Sequence, residues 1–64
     1  MNIIEATSLM LRGAKMRPRH FIAGNEITLK NEQIYMHTGP GVPEHRFYLE
    51  AEEVLGEWIV VDEQ

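Results

Sequence analysis

Lys15, Arg17, Arg19 and His20 are gathered in the segment KMRPRHF (15–21), which ends on the aromatic Phe21. Together these residue types suit one kind of chemistry. A guanidinium makes paired, charge-assisted hydrogen bonds to phosphate oxygens, and an aromatic ring gives a base a face to stack on. The expected ligand is a small anion that carries a ring. Arg19 would be its first phosphate contact, because it lies beyond Pro18, where edge protection is no longer the obvious need. The competing explanation is an exposed strand edge, where cations discourage pairing with other chains. That accounts for Lys15 and Arg17 better than for the Arg19-His20-Phe21 run that follows.

Other chemistry is poorly provided for. Ser8 is the lone serine, Asp62 the lone aspartate, and cysteine is absent. A Ser-His-Asp set cannot be assembled convincingly from these parts, so no enzymatic activity is expected. His37, Glu44 and His45 flank one loop without a pattern and read as solvated polar groups. His20, His37 and His45 lack the spacing that sets two ligands on one helix face, and thiolates are missing, so neither a metal nor another cofactor is expected. Gly39-Pro40-Gly41 is not followed by the Gly-Lys-Ser/Thr of a phosphate-binding loop and reads as a turn, free to act as a flexible lid.

Charge is unevenly spread. Residues 1–32 hold five cations (Arg12, Lys15, Arg17, Arg19, Lys30) against Glu5, Glu26 and Glu32, a balance of +2, while residues 33–64 hold Arg46 against seven acids, a balance of −6. The overall −4 repels a phosphate polymer, which disfavours long DNA or RNA but leaves room for a short anion at a local cluster. The first ten residues are interrupted by Asn2, Glu5, Thr7 and Ser8 and lack the basic flank of a signal peptide. No membrane span is expected, and the chain reads as soluble and cytoplasmic.

The elements that must position the cluster follow from periodicity. Asn2 and Glu5 have capping-box spacing, Ile3, Ala6 and Met10 share a face that Ile4 and Leu11 widen, and Gly13 stops the helix. Alternation then predicts a strand over AKMRP with Ala14 and Met16 inward, ended by Pro18. A hairpin follows, with Ile27 and Leu29, a turn at Lys30-Asn31-Glu32, then Ile34 and Met36. HRFYL (45–49) reads as a further strand, EAEEVLG (50–56) as a short helix closed by Gly56, and EWIVV (57–61) as a last strand with apolar residues on both faces. Residues 62–64 read as a solvated tail. The expected fold is α+β: one domain over 1–64, an N-terminal helix on a small, mostly antiparallel sheet, and a short helix before the last strand. A core this thin is marginal alone, and without disulfides self-association is the expected source of further burial.

Two stretches resemble a known family. MNIIEATSLMLRGAKMRPRHF (1–21) and FYLEAEEVLGEWIVV (47–61) are similar to the opening and close of the second-type Thoeris anti-defence sponge proteins of phages. The resemblance implies a small α+β domain that forms dimers or tetramers and captures a cyclic nucleotide-type immune signal, such as a cyclic ADP-ribose isomer, without cleaving it. It carries Arg17, Arg19, His20 and Phe21 onto the family's basic-aromatic segment, and Trp58 onto a tryptophan that is either core or ligand contact. Alternation adds Tyr35, His37, Arg46 and Tyr48 as outward-facing candidates. The expected function is thus sequestration of an anionic nucleotide, a means of immune evasion in a host cytoplasm. The alternative is a small protein-interaction module that inhibits a host protein by surface contact.

Overall fold

The computed structural model describes residues 1–61; the expected tail at 62–64 lies outside the described residues. Helix α1 (Ile3–Leu11) opens on a complete capping box. The Glu5 amide donates to Asn2 Oδ1 at 2.9 Å and the Asn2 amide to Glu5 Oε1 at 3.1 Å, so two otherwise orphan donors are satisfied reciprocally. Gly13 ends it at φ +94°, a conformation that side chains with a Cβ avoid.

Five strands follow: β1 (Met16–Pro18), β2 (Glu26–Lys30), β3 (Gln33–His37), β4 (His45–Arg46) and β5 (Trp58–Val60), with α2 (Ala51–Leu55) before the last. They form one sheet in the order β4-β3-β2-β1-β5, and every pairing is antiparallel. The expected α+β architecture and element order are both present. HRFYL is strand only at His45–Arg46, although Phe47 still donates its amide to Ile34 O. The β2–β3 hairpin turns on Asn31 (φ +51°) and Glu32 (φ +66°), the two-residue loop whose twist matches that of the flanking strands.

The position of β1 removes the competing explanation of Lys15 and Arg17. It lies inside the sheet, between β2 and β5, so Lys15 and Arg17 do not guard an edge. Pro18 is tolerated there because nothing needs its missing N–H. The ladder to β2 has ended at Met16↔Ile27, and Trp58, which faces Pro18, exchanges both backbone groups with Met1 instead.

Ala6 and Met10 of α1 pack on Met16, Ile27 and Trp58, with Ile3, Leu9, Leu29, Ile34, Met36 and Phe47 around them. Ile4 and Leu11 do not widen this face as expected. They are 75% and 71% exposed, because the narrow sheet meets only the Ala6–Met10 stripe. Leu55 on α2 is likewise exposed. Gly56, after α2, is required by close approach: a Cβ there would meet Glu52 O at 2.6 Å. Among the described residues no helix is long and apolar enough to cross a membrane.

Candidate functional site

Residues alternating away from α1 form the second face of the sheet. Thr28, Tyr35 and Arg46 lie in register across β2, β3 and β4, and Glu26 and His37 make the next row. The expected ligand residues divide between this face and the turn that follows β1.

In that turn the basic cluster is already engaged by the chain itself. Arg17 Nη1 donates to Phe21 O at 2.8 Å and so closes the turn over its own segment. Arg19 Nη1 lies 3.1 Å from Glu57 Oε1, and its amide donates to Glu57 O at 2.8 Å. His20 Nε2 stands 3.4 Å from Glu53 Oε2. Phe21 meets Phe47 edge to face at 5.8 Å and packs on the core rather than presenting a free stacking surface. Two cations of the first half thus find acids of the second, Arg19 on Glu57 and Lys30 on Glu44 at 2.7 Å, while Lys15 pairs with Glu26 of its own half at 3.7 Å. Part of the uneven charge distribution along the chain is matched within the fold. Glu53, Glu57 and Phe47 carry no local signal of this contact, since they lie more than twenty positions from the cluster.

Trp58 is core. It is 1% exposed, and its indole N–H donates to Glu53 O at 2.7 Å, tying β5 to the helix before it. No ligand reaches it in the single chain.

The four residues found by alternation fare differently. Arg46 is exposed and stands opposite Tyr35, with its guanidinium carbon 4.9 Å from the centroid of the Tyr48 ring. Tyr48 is 70% exposed. Tyr35 Oη donates to Gln33 Oε1 at 2.8 Å, which aims the phenol along β3. His37 occupies the neighbouring row opposite Glu26. A guanidinium over an aromatic face keeps its N–H fork free in its own plane while the ring limits its motion. Within this group only Arg46 brings a full cation that is held by an aromatic rather than by an acid. The chemistry available is recognition of an anion beside a flat ring. Nothing here has the nucleophile and base pairing of a catalytic site.

Three surface depressions of about 360, 340 and 200 Å³ are lined elsewhere: by Met1, Asn2 and Leu55–Glu57, by the outer side of α1, and by residues between α1's end and β2. Arg46 and Tyr48 are exposed and Tyr35 and His37 half-buried, and none of these three depressions includes them. No family model, curated protein or solved structure matches this chain.

Proposed function

We propose that this chain is a non-catalytic binding protein that sequesters a small anionic ligand of the nucleotide class on the open face of its sheet, with Arg46 as the phosphate contact. The observation that carries this reading is the Arg46 guanidinium held over Tyr48 and facing Tyr35 across the β3–β4 ladder. His37 supplies a further donor in the adjoining row. A cyclic dinucleotide or a cyclic ADP-ribose isomer offers both a phosphate for the fork and bases for the rings. The resemblance of the chain's two ends to anti-defence sponge proteins supports the same role, a decoy for an immune signal.

Thermal unfolding against a panel of cyclic nucleotides and cyclic ADP-ribose isomers tests it. A ligand at roughly 100 times its dissociation constant adds about 2.7 kcal/mol, a large shift for a domain of this size. Recovery of the intact ligand after denaturation is expected. A time-dependent product above a no-protein control would make the protein an enzyme.

A second reading has its own observation. Ile4 and Leu11 leave an apolar stripe on the outer side of α1, over a shallow depression that also includes Thr7 and Ser8. A second copy of the chain suits it. Two α1 helices packed antiparallel about a two-fold axis would set Ile4 of one copy against Leu11 of the other, with the small Ser8 at the crossing. Glu5 and Arg12, also seven residues apart, would then face one another across the axis. A protein-interaction module would use the same stripe for a host protein, and it would show no shift with any nucleotide.

A further inference from the structure

We infer that His20, Glu52 and Glu53 form a binding site for a first-row divalent cation of the zinc class. His20 comes from the turn after β1 and the two glutamates from α2, more than thirty positions away, so no spacing rule in the chain reveals the group. One donor atom from each of the three residues lies within 4.8 Å of the others.

One of the three ligands is buried and hydrogen-bonded in place, and a second rests against a neighbouring ring. The Glu53 side chain is only 7% exposed, and its Oε1 accepts the Glu50 amide at 2.7 Å, which leaves Oε2 directed at the imidazole. The His20 ring rests edge-on against Phe21 at 5.0 Å. Such outer contacts orient first ligands in metal sites. Glu52 is exposed and supplies the third donor.

The separation of the fixed pair is informative. His20 Nε2 and Glu53 Oε2 are 3.4 Å apart, which is long for a hydrogen bond. It is an ion-pair separation that also fits the edge of a tetrahedron with metal–ligand bonds of about 2.0–2.2 Å, roughly 3.3–3.6 Å. The third donor, within 4.8 Å, closes in on binding. One imidazole and two carboxylates suit zinc, cobalt or manganese, and leave at least one position for water. They suit magnesium and calcium poorly, since those ions favour all-oxygen sets.

Isothermal titration of the untagged protein with zinc chloride, followed by the NMR signals of the three histidine rings, tests the site. One equivalent should bind, perturb the His20 ring signals most, and raise the melting temperature; magnesium at the same concentration should do neither. His20→Ala and Glu52→Gln each remove an exposed ligand without disturbing the core, and each should weaken zinc binding at least tenfold. Absence of binding to the parent would overturn the inference. So would affinity unchanged in both variants, or ring perturbation confined to His37 and His45.

Discussion

Arg19 and Glu57 are joined twice across 38 positions, once by the Arg19 amide on Glu57 O and once by the guanidinium 3.1 Å from the carboxylate. The pair lies at the solvent surface, where such bonds contribute little: Arg19→Ala should change unfolding free energy by no more than about 0.5 kcal/mol. Since Glu57 already occupies the guanidinium, Arg19→Ala should also leave nucleotide affinity unaltered. Arg46→Ala should weaken it by more than tenfold, the loss of a charge-assisted bond of about 1.5–3 kcal/mol. Calorimetric titration of both variants with whichever nucleotide stabilises the parent checks this. The reverse ranking would return the phosphate site to KMRPRHF.

The elements were legible because their signals are local. Asn2 and Glu5 cap α1, Gly13 ends it, and the alternation of Ile27, Leu29, Ile34 and Met36 places the hairpin on the core. Which strand lies beside which is a long-range matter, and there the edge offered as the competing explanation of Lys15 and Arg17 failed. Met16 carries β2 on one side and β5 on the other, a pairing that nothing within KMRPRHF announces. The site was legible as residue types but not as partners. Arg19 gave no sign of a partner because the acid that holds it sits in another part of the chain, as does the Glu53 that lies beside His20. Arg46, by contrast, was found only through the period-two pattern of its strand. Ile4 and Leu11 satisfy a helical stripe on paper, yet the sheet is too narrow to reach them.

Trp58 separates a core role from a ligand role. Trp58→Phe keeps a ring in the core but leaves Glu53 O without the indole N–H, an unsatisfied carbonyl that costs about 1–3 kcal/mol. Urea denaturation should show that loss. A ligand contact without a core role would instead change affinity at unchanged stability.

The hairpin turn offers a stabilising change. Glu32 is held at φ +66°, where a side chain costs about 1–2 kcal/mol and glycine nothing. Set against the greater chain entropy of glycine, Glu32→Gly should raise unfolding free energy by about 0.5–1 kcal/mol. A lower urea midpoint would mean that the carboxylate has a role the turn geometry does not explain.

Self-association through α1 makes the sharpest demand on charge. Sedimentation at micromolar concentration should give a species above 7.4 kDa, and Leu11→Lys should return it to the monomer mass by charging the stripe. Antiparallel packing sets Glu5 of one copy near Arg12 of the other, so Arg12→Glu alone places like charges together and should weaken the dimer. Combining it with Glu5→Arg restores opposite charges in reversed order and should recover association. Glu5→Arg also removes half of the capping box, a loss of about 1 kcal/mol, so circular dichroism must first show that α1 persists. Recovery in the double variant would be hard to obtain from any arrangement other than a two-fold pairing of these helices. If Arg12→Glu dissociates the protein and the added Glu5→Arg does not restore it while α1 remains folded, the antiparallel arrangement is wrong. A parent that sediments as a stable monomer would leave the stripe to a different protein.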